Sequence, residues 1–256
     1  MAISLSLTGK TALITGGSRG IGAACVRMFR QSGAHVVFNY QRARDAADSL
    51  TWECGANGTH AVQSELDSVE SGEALVLATV ERFGGLDCLV VNHGIWPPHD
   101  QPIDTMSDEQ WRRTLSINLD SAFSLVKHAV AQMKNQQRGG KIVLISSTAG
   151  QRGEAFHCDY AASKGAIISM TKGLSTELAK DKIYVNCVAP GWVATDMSAA
   201  ALADSATQQK VNNAIPLGRI GIPEEIAAPV LFLCTEHAGF ITGEIFNVNG
   251  GAVLVG

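Results

Sequence analysis

Short apolar runs rich in β-branched residues alternate along this chain with longer segments in which apolar positions recur every three to four residues. The runs Thr11–Thr15, His35–Tyr40, Thr59–Ser64, Cys88–Asn92, Lys141–Ile145, Tyr184–Ala189 and Ile245–Val248 read as strands. Two of them, CLVV at 88–91 and KIVLI at 141–145, are almost continuously apolar, as strands covered on both faces must be. Gly20–Ser32, Ala43–Cys54, Val69–Phe83, Asp108–Asn135, Asp159–Lys180 and Pro223–Cys234 read as helices. This alternation predicts an α/β fold: a doubly wound, seven-stranded parallel sheet with right-handed crossovers and helices on both faces. No linker, repeat or low-complexity tract divides residues 1–256, so a single domain is expected. The stretch 192–222 breaks the rhythm and is expected to form a lid over a site.

Composition narrows the function classes. Hydrophobic residues make up 46% and charged residues 17%, which suits a well-buried globular chain. The net charge of −4 and the lack of a basic cluster give no reason to expect a nucleic-acid partner. No run of about 18 apolar residues suggests a membrane span, and residues 1–10 do not read as a signal peptide. The six cysteines are scattered without a C-x-x-C pair, which points to reduced thiols and a cytoplasmic protein. The seven histidines show no ligand-like spacing, so no metal is expected.

The first strand runs into Thr15-Gly16-Gly17-Ser18-Arg19-Gly20-Ile21-Gly22 and then a helix. Strand, glycine-rich turn and helix is the Rossmann-like setting of a dinucleotide site: the glycines admit a pyrophosphate to the backbone, and the helix N-terminus offers free N–H groups. The spacing is G-x-x-x-G-x-G rather than G-x-G-x-x-G. Gly16, Ser18, Arg19, Gly20, Ile21 and Gly22 are the candidate phosphate contacts. The second strand ends at Asn39 and Tyr40, with no carboxylate to grip a ribose 2′-hydroxyl. Arg19 and Arg42 could instead hold a 2′-phosphate, so the expected cofactor is NADP(H).

A second constellation lies in the other half. Tyr160 and Lys164 are four residues apart in a predicted helix and share one face. Ionising a free tyrosine near pH 7 takes about 4 kcal/mol, and an ammonium about 4 Å away supplies about that much at an effective dielectric of 20. Ser147 follows the KIVLI strand, at the edge where open parallel sheets bind ligands. Asn118 sits inside a predicted helix, where asparagine is a poor choice, so a specific bonding role is expected.

Taken in order, TGGSRGIG at 15–22, NHG at 92–94, Asn118, Ser147, YAASK at 160–164, PGWVAT at 190–195 and ITG…NVNGG near the end resemble a short, single-domain short-chain dehydrogenase/reductase over essentially the whole chain. The resemblance implies roles. Tyr160 would be general acid in reduction and base in oxidation. Lys164 would lower its pKa and hold the nicotinamide ribose. Ser147 would polarise the carbonyl, and Asn118 would anchor a proton-relaying water. Pro190, Gly191, Val193 and Thr195 would border the nicotinamide, Glu65 and Leu66 the adenine, and Asn92 and Gly94 the adenosine ribose side. Trp96, Ser147, Gln151, His157 and Trp192 would contact substrate, with Pro97, Pro98, His99 and Phe156 close by.

The chain departs from the family pattern at His93, where a small residue is usual and where a packed, hydrogen-bonded histidine is expected, and at Asn249, where aspartate is usual. The resemblance is strongest to reductases of 3-oxoacyl thioesters on acyl carrier protein; it therefore implies a small-molecule carbonyl/alcohol substrate, a carrier protein as partner, and a homotetramer. Lys127, Lys134 and Arg138 are the candidates for a carrier-docking patch. Reduction of a cyclic ketone, sugar or quinone is the alternative. A non-catalytic NADP sensor would lack the Tyr or Lys kept here, and sugar-nucleotide epimerases space their glycines differently and have a longer C-terminal region.

Overall fold

A computed structural model describes residues 4–255. Seven strands, β1 (Thr11–Ile14), β2 (His35–Tyr40), β3 (Thr59–Gln63), β4 (Cys88–Val91), β5 (Gly140–Ile145), β6 (Ile183–Pro190) and β7 (Ile245–Val248), form one sheet in the order 3-2-1-4-5-6-7. Every pairing is parallel, as the apolar runs predict. The order reverses direction between β1 and β4, which opens a crevice beyond their C-terminal ends.

The helices are α1 (Gly20–Gln31), α2 (Arg44–Cys54), α3 (Ser71–Phe83), α4 (Asp108–Leu115), α5 (Ser121–Gln136), α6 (Thr148–Arg152), α7 (Cys158–Leu178), α8 (Asp196–Ala199), α9 (Ser205–Ala214) and α10 (Pro223–Cys234). Two apolar cores flank the sheet. On one face Val26 and Phe29 of α1 and Ile226 and Val230 of α10 cover Ile14, Phe38 and Val143. On the other, Leu75 of α3, Leu125 and Met133 of α5 and Ile167 of α7 cover Leu13, Leu89 and Leu144. Adjacent residues of one strand thus belong to opposite cores, which is why these strands show no polar face.

Two expectations needed correction. The segment read as one helix over Asp108–Asn135 is α4 and α5 joined by a π-helical turn, Ser116–Asp120, with Asn118 inside it. The irregular stretch 192–222 carries two short helices, α8 and α9; α9 has no buried residue, so its sequence offers little apolar periodicity. The short helix α6 was not foreseen. Among the described residues no helix is long and apolar enough to cross a membrane.

Candidate active site

A cleft of about 830 Å³ runs along the C-terminal edge of the sheet. One end is the β1–α1 turn. Gly16 and Gly20 have φ of +62° and +53°, values that favour glycine. α1 begins without a capping side chain and without an acidic residue in its first turn. A turn shaped by left-handed glycines and an uncapped helix N-terminus fits the pyrophosphate of a dinucleotide. Gly22 does not face the cleft: a Cβ there would lie 2.1 Å from the Gly16 carbonyl oxygen, so this glycine packs the helix onto the turn.

Asn39 braces that turn from beneath. Its Oδ1 accepts from the Gly16 N–H at 2.7 Å, and its Nδ2 donates to the Ser64 carbonyl at 3.2 Å. It is 3% exposed, so the amide shapes the loop with its polar atoms while only bordering the cleft. Tyr40, Gln41, Arg42 and Ala43 continue the wall, and Arg42 is exposed with no ion-pair partner among the described residues. Arg19, across the cleft, pairs with Asp196 at 3.1 Å. Glu65 and Leu66 line the far wall, with Gln41 bonded to Glu65.

His93 is packed and hydrogen-bonded, as expected. Its Nδ1 lies 2.8 Å from the Thr15 hydroxyl and its Nε2 2.6 Å from the Ser121 hydroxyl. Ser121 donates to the Ile117 carbonyl at 2.7 Å, so its oxygen must accept from Nε2–H. Nδ1 is then the acceptor, and Thr15 donates to it. Burial and the nearby Lys164 ammonium push the imidazole down to about 3, so the ring is neutral.

At the centre of the cleft stand Ser147, Tyr160 and Lys164. Ser147 caps α6, accepting from the Ala149 N–H at 3.1 Å, and its hydroxyl lowers the pKa of the neighbouring Tyr160 phenol. Lys164 donates to the Ile145 carbonyl at 2.9 Å and stands 5.8 Å from the centre of the Tyr160 ring. Burial raises Tyr160 to about 12, opposed by the Ser147 bond, and lowers Lys164 to about 8. Lys164 is not among the groups that shift the phenol. Both groups are desolvated, and the ammonium is committed to a backbone carbonyl.

Asn118 does not line the cleft, although its neighbour Ile117 does. Its Oδ1 accepts from the Ile95 N–H at 2.8 Å, and its Nδ2 donates to the Ile95 carbonyl at 3.0 Å and to Ser163 Oγ at 3.1 Å. The side chain ties the segment after β4 to the π-turn and α7, and all its polar atoms are engaged.

Of the expected substrate contacts, Trp96, Ser147 and Trp192 line the cleft; Gln151 and His157 do not. Gln151 points away to Asn247, 2.5 Å distant. His157, 2% exposed, lies stacked against Trp96 at 4.6 Å with Nε2–H donating to the Pro97 carbonyl. Pro97, Pro98, His99 and Phe156 also lie outside the lining. Sequence reasoning missed Glu154, Arg113, Arg152, Ile95 and Met197, which do line it. Gln151 and Glu154 both fall in the connector after Ser147, and only the fold decides which of them faces inward. Among the described residues no cluster of metal-ligating side chains occurs.

A phosphate-binding turn at a strand-order reversal, facing a Ser–Tyr–Lys set, defines a dinucleotide-dependent α/β oxidoreductase. A family model described as enoyl-(acyl carrier protein) reductase matches residues 16–253. A 3-oxoacyl-[acyl-carrier-protein] reductase of Synechocystis is 38% identical over 97% of this chain and 99% of its own length. An L-rhamnose 1-dehydrogenase (NAD(P)(+)) of Azotobacter vinelandii is 37% identical over 96% and 97%. A solved short-chain dehydrogenase/reductase of Brucella melitensis, titled glucose/ribitol dehydrogenase, is 36% identical with a TM-score of 0.90, covering 99% of this chain and 100% of that one. The chain belongs to the short-chain dehydrogenase/reductase family.

Proposed function

We propose that this protein is an NADP(H)-dependent oxidoreductase that interconverts a carbonyl and an alcohol, with Tyr160 handling the proton. The observation that carries the reading is Ser147, Tyr160 and Lys164 brought together in the lining of the dinucleotide-shaped cleft. The bound nicotinamide would supply or accept hydride. Gly16, Ser18 and the α1 N-terminus would hold its pyrophosphate, and Pro190, Gly191, Val193 and Thr195 would border its ring. Ser147 orients the substrate oxygen, and Tyr160 donates to it in reduction. The phenol's pKa of about 12 keeps it in the protonated, donating form.

The preference for a 2′-phosphate is supported by two features. No carboxylate follows β2, and the Arg42 guanidinium is unpaired at the cleft wall. Arg42→Ala should raise the NADPH dissociation constant about tenfold or more, in line with a lost charge-assisted contact, while NADH binding changes little. Equal loss for both dinucleotides would remove Arg42 from this role.

Tyr160→Phe should lower turnover at least about a hundredfold with NADPH binding retained, as measured by nicotinamide absorbance and fluorescence titration. Undiminished turnover would end the acid–base reading.

Two substrate readings have specific support. The Synechocystis relative is named for a 3-oxoacyl thioester on a carrier protein; the Azotobacter relative is named for a sugar. Lys134 and Arg138 are engaged by Asp181 and Asp87, each at 3.0 Å, and Arg138 lies just before β5, at the sheet edge opposite the cleft. With Lys127 they do not border this chain's own cleft, which weakens the carrier reading within one subunit. Assembly into a homotetramer is the family expectation, and six free thiols suit the cytosol.

A further inference from the structure

Beyond Tyr160 the cleft ends in a box that the acid–base chemistry does not use. Trp96 and Trp192 form two of its walls, ring centres 6.1 Å apart and planes at 80°. His157 backs Trp96, held by its bond to Pro97. Glu154 accepts from the Trp96 indole N–H at 3.3 Å through Oε1, and its Oε2 has no partner among the described residues. The carboxylate is only partly exposed, and burial raises its pKa. Its charge raises the Tyr160 phenol, and both groups line the same cleft.

We propose that Glu154, bonded to Trp96 where two tryptophans wall the cleft, is the specificity-determining residue of this cleft and selects a free monosaccharide by accepting hydrogen bonds from adjacent hydroxyls. The proposal rests on the oxidoreductase reading above. Each competing ligand chemistry meets an obstacle in the same residues. A saturated acyl chain would bury a half-covered carboxylate without giving it a partner, which is costly. A flat quinone has no donor for Oε2. A sugar supplies hydroxyl donors for the carboxylate and an apolar C–H face for an indole. In oxidation, at a pH high enough to ionise its phenol, Tyr160 would take the proton of the anomeric hydroxyl; a bound oxidised dinucleotide would accept the anomeric hydrogen as hydride, and the C–O bond would become the carbonyl of a lactone.

The test is a panel of aldohexoses and 6-deoxyhexoses with NADP⁺ and NAD⁺. Alongside it, acetoacetyl thioester and phenanthrenequinone are offered with NADPH. A monosaccharide should be the best substrate. Glu154→Gln should raise its KM roughly ten- to hundredfold, the worth of a charge-assisted hydrogen bond. Because a negative charge is removed from beside the phenol, the same substitution should also move the Tyr160-dependent limb of the pH–rate profile to lower pH. Glu154→Asp should recover part of the KM. Turnover of thioester or quinone with no sugar turned over overturns the substrate class and leaves the oxidoreductase reading standing. Sugar turnover with an unchanged KM in Glu154→Gln overturns the role of Glu154. If no carbonyl or alcohol is turned over and NADPH does not bind, the underlying reading fails as well.

Discussion

His93 shows how one residue ties chemistry to stability. It stands where a small residue is usual in the family, and its ring bridges the end of β1, through Thr15, to the start of α5, through Ser121. Its folded-state pKa of about 3 lies below the ordinary value of 6.5. Between these values the unfolded chain binds a proton that the folded chain refuses, so stability falls as pH drops from about 6.5 towards 3. At 1.36 kcal/mol per unit, and with the unfolded imidazole already half protonated at pH 6.5, this single group should remove about 2 kcal/mol between pH 6.5 and 4.5. Urea titrations at the two pH values should show that loss in the wild type and a smaller one in His93→Asn. A parallel loss in both proteins would assign the acid sensitivity elsewhere. Sequence disclosed that His93 was unusual, but not its neutral tautomer, which depends on Ser121 and Ile117 from another element.

Among the elements, the π-turn at 116–120 was hidden because it inserts a residue without interrupting the apolar recurrence of 108–135. The clue was Asn118, a residue out of place in a helix. In keeping with the specific bonding role expected of it, it holds the backbone of Ile95 at both its N–H and its carbonyl. Asn118→Ala would leave both groups without their partner in a part-buried site, at about 1–3 kcal/mol each. We expect a thermal midpoint lower by several degrees, together with reduced turnover, because Ile95 and Gly94 border the cleft. Unchanged stability would show that the loop finds other partners. The strands were legible almost to the residue because the central ones, β1 and β4, are sealed on both faces and read as unbroken apolar runs. The short helices α6, α8 and α9 were not, because four to ten residues carry too little periodicity to declare a face.

On the scale of the whole molecule, the cleft is closed by contacts between distant parts of the chain. Arg19 of the phosphate-binding turn meets Asp196 at the start of α8, 177 residues on. Both side chains are about two-thirds exposed, so the pair is worth at most about 1 kcal/mol. Asp196 holds a cation that an incoming phosphate would otherwise claim. Asp196→Asn should therefore tighten NADPH binding by up to about fivefold at low salt, and the gain should shrink as ionic strength rises. Weaker binding in that variant would instead make Asp196 a supporting contact of the lid. The doubly wound parallel sheet and the crevice at its strand C-termini were readable from strand alternation. Which side chains face inward was not, as Gln151 and Glu154 illustrate: both fall in one connector, and only its path past β7 turns the first outward to Asn247.

That connector has a practical meaning for anyone wishing to retool the enzyme. Ser147 opens it and Tyr160 closes it, so the cassette between them is pinned at both ends by the two groups proposed above to handle the reacting oxygen. Grafting residues 148–157 from a relative would exchange ligand preference while its two anchors stay where they are. The graft must also supply a mate for Trp96, since the indole leans on Glu154 and His157 from within that same cassette.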